Sequence, residues 1–498
     1  MTAARMRLLA RTATSLLTGE MTGRGRDGFA ASPQERRAVA IREAFESLGP
    51  LYIKVGQILS TRPDFVNPTV IAELETLHDQ ASTVPFAVME PVLEEELGAA
   101  WRCRFSSIET ARPLGSASLA QVYEARLRDG TAVVVKVQRP GIQTIMDADM
   151  KMLRRAARIV AHRAPRFNAT VDVETMLTVI FDAMRPELDF RLEAQNMDTA
   201  RRTVQAFSTL AVPDVIHATR RILVQTLAAG RNIRDADPSD FKEDDRIAIG
   251  RDLLGFMYRG YFQERFFHAD PHPGNILVHP GERASIIDWG MVGRMDRRMS
   301  MSLVLILLSL SQNDGQAAAR AWIDMSKPTP WSDLAGFTSD IAILVPKIAT
   351  ASLEELNFGT TLTSVLKHST RRGIQSSPLV SILGKSFANI DGSVRYLAPE
   401  LSVTEVFTDH LRPLLSHFVR EATSQGQLAS SVMELLIASG SSPAETRGLL
   451  KDLANRDFTL NLSERPSGAS LSAAKDERYR RLVFAGLAYL AWRSHRRT

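Results

Sequence analysis

Asp270 and Asn275 lie five positions apart in His268-Ala-Asp-Pro-His-Pro-Gly-Asn275, and Asp288 follows a short apolar run and a turn, in Ile286-Ile-Asp-Trp-Gly290. Two carboxylates and a carboxamide at this spacing could serve phosphoryl transfer. One carboxylate would lie near the attacking oxygen, while hard oxygen ligands would hold Mg²⁺ across the phosphates. An isolated Asp-x4-Asn is common in loops, where both side chains cap turns, so the weight lies with the complete pattern. His268 and His272 are four apart, a zinc-ligand spacing on a helix, yet Pro271 and Pro273 exclude a regular helix and no Glu follows His268. Zinc is the minor alternative.

The same Asp-to-Asn spacing occurs in a protein-kinase catalytic loop, which is followed by a second metal-binding Asp in an Asp-Phe-Gly turn. Such a site needs a lysine and a phosphate-covering hairpin upstream. From Pro113, small residues including Gly115, Ser116, Ala117 and Ser118 lead into Tyr123-Glu-Ala-Arg-Leu, then Asp129-Gly130, then the β-branched run Ala132-Val-Val-Val-Lys136-Val. Lys136 inside an apolar strand is costly unless paired, so it should meet a carboxylate or a phosphate; an exposed edge-strand lysine is the alternative. Met176 to Thr203 reads as strongly helical and carries Glu187, Asp189 and Glu193, with Pro186 supporting a break or helix start just before Glu187. Glu187 and Glu193 are six apart and cannot point the same way on a straight helix, so they should serve different partners. Val212 to Val215 and Arg221 to Leu227 read as two short strands. In a kinase plan they form the hinge, with backbone groups of Gln225 to Leu227 meeting adenine. A helix from about Asp244 to Gln263 should support the catalytic loop.

Upstream, Ser32-Pro-Gln-Glu35 is a capping box that predicts a helix to about Leu48, ended by Gly49-Pro50. A second helix begins near Leu51, with Leu51, Val55, Ile58 and Leu59 on its apolar face and Lys54 and Gln57 sharing another face. Further helices are expected over roughly 68 to 79 and 86 to 98, and after Gly293 the chain should be mainly helical to about 457. Leu397-Ala-Pro-Glu400 echoes the end of a kinase activation segment but lies too far beyond Asp288, and is treated as coincidence.

The 498-residue length exceeds one core, and hydrophobic and charged shares of 44% and 23% are those of a soluble globular protein. A single cysteine, Cys103, excludes an intramolecular disulfide and a Cys-based metal cluster, pointing to a reducing compartment. Sixty-one basic residues against 56 acidic give a net charge of +5, which is no nucleic-acid signature. Basic residues gather at both ends, as suits an anionic membrane surface. Residues 1–31 fit a basic amphipathic helix, a mitochondrial-type transit segment or a frayed terminus, but not a secretory signal. At the other end, Leu482 to Trp492 lies between arginines and would reach only about 16 Å, half a bilayer core, as a monotopic anchor or a helix docked on a partner.

Together these motifs resemble the UbiB/AarF family, also called ADCK, atypical kinase-like proteins associated with ubiquinone and other isoprenoid-lipid metabolism. The resemblance spans roughly residues 33 to 400. It rests on Lys54-x-Gly-Gln57, the loop Gly115 to Ala120, Lys136 before Val-Gln-Arg-Pro-Gly141, Glu187-Leu-Asp189, His268 to Asn275, and Asp288-Trp-Gly290. Aminoglycoside and choline kinases share the His-x-Asp-x4-Asn loop, but Lys-x-Gly-Gln with Glu-x-Asp points to this family.

The resemblance implies an α+β, two-lobed protein-kinase-like fold. Its parts would be a basic arm (1–31), a helical N-terminal extension (32–112), a small lobe (113–230), a mainly helical large lobe (231–462), and a linker with a basic C-terminal helix (463–498). It implies ATP or ADP with Mg²⁺ as cofactors. Lys136 would contact the phosphates and pair with Glu193, Asn275 and Asp288 would hold the metal, and Asp270 would be the catalytic carboxylate. Lys54 and Gln57 would reach into the site near Glu187, in the space a peptide would use. The activity implied is an atypical kinase or ATPase, cytoplasmic and peripheral at a bacterial membrane, with a mitochondrial location as alternative. An isoprenoid lipid or quinone precursor and lipid-biosynthesis enzymes are the expected partners, with no nucleic acid. Two other functions stay open: a nucleotide-gated lipid-binding scaffold without turnover, and a small-molecule phosphotransferase. This chain departs from the family in Trp289 for the usual Phe, in Gly115-Ser-Ala-Ser118 where some members carry Ala-Ala-Ala-Ser, and in Val-Val-Val-Lys136.

Overall fold

A computed structural model describes residues 32–422, except 61, 63–65, 78–81, 164 and 351–357. The expected basic arm (1–31) and the expected C-terminal linker and helix (463–498) lie outside the described residues, as does the predicted helical stretch 423–457. The chain divides into two compact units between Arg420 and Glu421, and the elements described here belong to the first up to Arg420.

The extension contains α1 (Pro33–Leu48), α2 (Pro50–Leu59), α3 (Pro68–Glu75) and α4 (Phe86–Leu97). Ser32 starts α1 with both halves of the capping box formed, Glu35 N donating to Ser32 Oγ at 3.2 Å and Ser32 N to Glu35 Oε2 at 2.7 Å. Gly49, at φ 93°, turns the chain into α2. That helix is buried over more of its circumference than the sequence pattern indicates: Tyr52 and Ile53 are buried along with Leu51, Val55 and Ile58. Leu51, Val55 and Ile58 pack with Met146, Ile180, Phe181 and Met184. Each such side chain contributes about 1.5–3 kcal/mol when fully buried, so α2 is fixed to the body of the protein.

The small lobe is built on β1 (Phe105–Ile108), β2 (Gly115–Ser116), β3 (Ala120–Leu127), β4 (Ala132–Gln138), α5 (Ile142–Arg163), α6 (Pro165–Val171), α7 (Val173–Leu188), α8 (Phe190–Val204), β5 (Leu210–Ala211), β6 (Val215–Ala218) and β7 (Ile222–Thr226). Its antiparallel sheet runs β1-β3-β4-β7-β6, with β2 on the edge of β3. The β3–β4 hairpin turns at Asp129-Gly130, as its sequence predicts, and sets Val122 opposite Lys136. Alternation then puts Val133, Val135 and Val137 into a core with Met89, Val92 and Leu93 of α4, and turns Lys136 to the other face.

The predicted break before Glu187 is corrected by the structure. The helix passes through Pro186 to Leu188 and ends at Asp189, whose carboxylate caps the next helix by accepting from Arg191 N at 3.1 Å. A short capping side chain here outweighs the proline, which the preceding helix accommodates in its last turn. The expected helix over 68 to 79 also stops earlier, at Glu75.

The large lobe follows: β8 (Arg231–Asn232), α9 (Glu243–Arg259), β9 (Phe266–His268), β10 (Ile276–Val278), β11 (Ala284–Ile286), β12 (Val292–Arg294), α10 (Arg297–Ser311), α11 (Gly315–Met325), α12 (Leu334–Thr350), α13 (Phe358–Arg371), α14 (Pro378–Leu397) and α15 (Val403–Ala422). Short ladders β9–β12 and β10–β11 frame the two motif loops, pairing His268 with Val292 and Ile276 with Ile286. Glu400, at the end of the Leu-Ala-Pro-Glu stretch, forms an ion pair with Arg246 of α9. No helix among the described residues is long and apolar enough to cross a membrane.

Candidate active site

A cavity of about 1200 Å³ opens between the hairpin, the two motif loops, α2, α13 and α14. Lys54, Gln57, Gly115, Ser116, Ala117, Glu187, Asp270, Asn275 and Asp288 all line it. Sequence positions more than two hundred apart therefore meet in one space.

Lys136 is the hub. Its Nζ lies 3.0 and 2.9 Å from the two carboxylate oxygens of Glu193 and 3.3 Å from Asp288 Oδ1, and 5.2 Å from the centre of the Phe190 ring. Burial alone would lower its pKa, but Asp288 and Glu193 override burial and hold it above the usual lysine value. Burial pushes the Glu193 carboxyl up to about 7 against the downward pull of Lys136, whose Nζ is held at near-equal distances by both carboxylate oxygens. Lys136 holds Asp288 below the usual carboxylate range, although half of the Asp288 side chain still faces the open cavity.

Glu187 has a different partner, Lys54 Nζ at 3.0 Å, with each side chain 13% exposed. The break at Asp189 lets both acids approach one spot: a Cβ on Gly290 would lie 3.2 Å from Glu187 Cγ and 3.8 Å from Glu193 Oε2. Gln57 donates to Leu77 O at 3.2 Å, so it also holds α2 to the segment after α3.

Asp270 sits in a loop whose shape is set by hydrogen bonds. Its amide donates to His268 Nδ1 at 3.1 Å, which leaves the proton on Nε2, 3.1 Å from Ile287 O. Burial lowers the His268 pKa, so this neutral ring joins the two motif loops. The Asp270 carbonyl accepts from Asn275 Nδ2 at 3.1 Å. Trp289, fully buried, donates its indole N–H to Ile286 O at 3.1 Å and stacks on Phe266 at 6.0 Å. Asp288 adopts φ 58°, in the left-handed region, which costs a residue with a Cβ about 1–2 kcal/mol.

Sequence reading missed α14. Asn389 Nδ2 donates to Asp270 Oδ1 at 2.6 Å, Lys385 Nζ lies 3.3 Å from the same oxygen, Ser386 donates to His268 O at 2.6 Å and Ser393 to Pro271 O at 3.0 Å. Burial would raise the Asp270 pKa, but Lys385, His272 and Lys54 draw it below the usual range. The signal was the spacing 385, 386, 389 and 393, one face of a helix bearing polar residues in an otherwise apolar segment. Arg139 was also missed. It donates to Ala117 O at 3.0 Å and to Ser116 Oγ at 2.9 Å, and so shapes the small-residue loop.

Other predicted residues are placed differently. Ser118 is buried and, like Lys136 and Glu193, does not line the cavity, which Lys136 meets only through its contact with Asp288. Gln225 pairs within the sheet with Val134 and Val215, the Leu227 amide donates to Ala132 O at 3.0 Å, and neither residue lines the cavity.

A lysine on a central strand, its carboxylate on a following helix, and paired Asp-to-Asn and Asp loops below the sheet define a protein-kinase-like fold. Residues 76–322 match the ABC1 atypical kinase-like domain. The chain is 30% identical over 398 residues to the "Probable protein kinase UbiB" of Tolumonas auensis, covering 78% of this chain and 72% of that one. It is 31% identical over 386 residues to the protein of the same name from Cellvibrio japonicus, covering 75% and 69%. An uncharacterized protein from the hydrogenase 1 5′ region of Clostridium pasteurianum is 29% identical over 374 residues, covering 75% and 70%. Among solved structures, the Rv3197–erythromycin complex from Mycobacterium tuberculosis has a similar fold, with a TM-score of 0.50 at 20% identity, covering 81% of this chain and 96% of that one. The chain belongs to the UbiB family of ABC1 atypical kinase-like proteins.

Proposed function

We propose that this chain binds ATP or ADP with Mg²⁺ between its lobes and catalyses phosphoryl transfer from ATP, as an atypical kinase or ATPase assisting isoprenoid-quinone or related lipid metabolism at a membrane surface. The observation that carries the chemistry is Lys136 held between Glu193 and Asp288, with Asp288 in one cavity wall with Asp270 and Asn275. The UbiB names of the relatives support the quinone and lipid part.

The donor set fits Mg²⁺. Asn275 uses its amide nitrogen on Asp270 O, which leaves its oxygen for a metal, and the Asp288 carboxylate is half-exposed to the same cavity. Among the described residues no group of three or more His, Cys, Asp or Glu could hold a metal unaided. A two-oxygen protein set is what Mg²⁺ takes when phosphates and water complete its shell. Bound there, Mg²⁺ would neutralise charge on the transferring phosphoryl group.

The chain's own residues supply the rest. Lys136 is charged and steered toward the phosphates by Glu193. The loop Gly115 to Ser118 covers them, with Arg139 fixing its shape. Asp270, ionised and aimed by Asn389 and Lys385, accepts a hydrogen bond from the acceptor hydroxyl and orients it for attack. Lys54, Gln57 and Glu187 close the side where a peptide would dock, which favours hydrolysis or a small acceptor.

Mg-nucleotide binding and ATP hydrolysis, measured with and without anionic-lipid vesicles, test this reading. Asp288→Asn should weaken Mg-nucleotide binding, and Asp270→Ala should stop turnover while leaving binding intact. Cellular function retained in Asp270→Ala but lost in Asp288→Asn would replace it with the nucleotide-gated scaffold.

A further inference from the structure

The cavity extends beyond the groups used above to a second wall on α13, where Thr360, Thr363, Ser364 and Lys367 line it. Their spacing places them on one helical face. That face lines the same cavity as Asp270. A Cβ on Gly359 would come within 2.5 Å of Gly384 O and 2.9 Å of Ala388 N, so α13 and α14 touch backbone to backbone beside Lys385 and Asn389.

The charges on the cavity wall are unevenly matched. Lys54 is paired with Glu187 and Lys385 with Asp270. Lys367, half-buried, has no hydrogen-bond or ion-pair partner among the described residues. Its neighbour His368 faces Asp340, at 3.4 Å, and Arg372 takes Asp340 and Asp333, so these two acids are engaged elsewhere. An unmatched ammonium in a cavity wall favours an anion.

The hydroxyls add a second requirement. Thr363 donates to Gly359 O at 2.8 Å and Ser364 to Thr360 O at 3.0 Å. Their hydrogens are spent on the helix backbone, so their oxygens present lone pairs and accept from a ligand's own O–H groups. The wall thus offers one cation and two hydroxyl acceptors in the cavity that also holds the Asp270 carboxylate.

We propose that the α13 wall binds the phosphoryl acceptor, and that the acceptor is a small hydroxyl-bearing anion of the glycerophosphate kind, its charge on Lys367 and its hydroxyls on Thr363 and Ser364, with one hydroxyl turned to Asp270. This rests on the phosphoryl-transfer reading for the role of Asp270, but the binding it describes does not. Such a group exists free, as in glycerol 3-phosphate, or as the headgroup of phosphatidylglycerol.

The test is calorimetric titration of the full chain with glycerol 3-phosphate, inorganic phosphate and glycerol, each with and without Mg²⁺ and a non-hydrolysable ATP analogue, beside sedimentation with phosphatidylglycerol or phosphatidylcholine vesicles. Glycerol 3-phosphate should bind more tightly than phosphate, and glycerol should not bind measurably. Lys367→Gln should weaken it about tenfold, Lys367→Arg should restore most of the loss, and the affinity for the ATP analogue should stay within about twofold. Thr363→Val should erode the preference over inorganic phosphate. Binding of the free compound with no vesicle preference assigns the free source, and selective binding of phosphatidylglycerol vesicles, lost in Lys367→Gln, assigns the headgroup. Equal loss of ATP-analogue and glycerol 3-phosphate affinity in Lys367→Gln would make Lys367 part of the nucleotide site and overturn the proposal. So would no binding of either source. If the nucleotide fails to bind, the phosphoryl-transfer reading falls, while the titrations without nucleotide still judge this one.

Discussion

Lys54 Nζ lies 3.0 Å from Glu187 Oε1, and through that contact a helix outside the two lobes is fastened by charge to the floor of the cavity. Both side chains are largely shielded from water, so removing one leaves the other costly. Lys54→Ala should destabilise the fold by about 1–3 kcal/mol, and Lys54→Ala/Glu187→Ala should cost less than the sum of the two single changes. Urea denaturation of the four proteins gives the coupling; strict additivity would mean that the pair does not hold the extension.

Lys136→Met should be more damaging. The Glu193 side chain is 2% exposed, and without Lys136 it keeps a buried charge or takes up a proton. The expected loss is about 3–5 kcal/mol, with much of it recovered in Lys136→Met/Glu193→Gln, where no buried charge remains. Denaturant midpoints decide this, and a double variant no more stable than the single would contradict it.

Gly56 makes the Lys-x-Gly-Gln spacing a steric matter. A Cβ there would lie 2.4 Å from Leu77 Cδ1 and 2.7 Å from Phe45 Cδ2. Gly56→Ala should cost about 1–3 kcal/mol by overpacking, and Leu77→Ala in the same chain should relieve part of it. Thermal melts of the three variants test the contact.

Asn389 donates to Asp270 Oδ1 at 2.6 Å and so fixes the orientation of that carboxylate. Asn389→Ala should lower kcat for ATP hydrolysis about 10–100-fold, in the range of lost positioning effects, with KM for ATP nearly unchanged. Asn389→Asp should be worse, since it faces Asp270 with a like charge. A matching rise in KM would move Asn389 into nucleotide binding instead.

Acid sensitivity follows from Asp270 and Asp288, both drawn below the usual carboxylate value of about 4. The unfolded chain binds protons first as pH falls, so the stability these groups contribute is complete above about pH 5 and is lost progressively below about pH 4, as pH falls through the lower folded values. Asp288→Asn should flatten that acid limb. Denaturation midpoints between pH 3 and 7 would show it, and an unchanged slope would count against a folded-state shift at Asp288.

Much of the fold was legible because local chemistry and tertiary structure agree. The capping box at Ser32, the Asp129-Gly130 turn and the β-branched run to Lys136 each signal their element in a few residues, and each forms as read. Glu187 and Glu193 do have different partners, Lys54 and Lys136, but they stand on two helices whose break brings both to one spot, so the helical-period argument did not apply, and the break was placed at Pro186, not at Asp189. A proline in a helix's last turn and a capping aspartate give overlapping signals, and here the cap decided. The polar face of α14 escaped notice because its residues are ordinary in type and lie more than a hundred positions from Asp270; only folding brings them together. Gln225 and Leu227 show the reverse case: the strand was recognised, and in it Gln225 pairs on both sides while the Leu227 amide donates to Ala132 O.

The left-handed backbone at Asp288 sets stability against chemistry at a single position. Glycine would adopt φ 58° without penalty, and asparagine tolerates it better than most residues. Exchanging this aspartate would relieve that strain but discard the carboxylate facing Lys136, together with the stability their ion pair contributes. Variants at this position should be screened for nucleotide binding as well as melting temperature, because the strain relieved and the ion pair lost act in opposite directions.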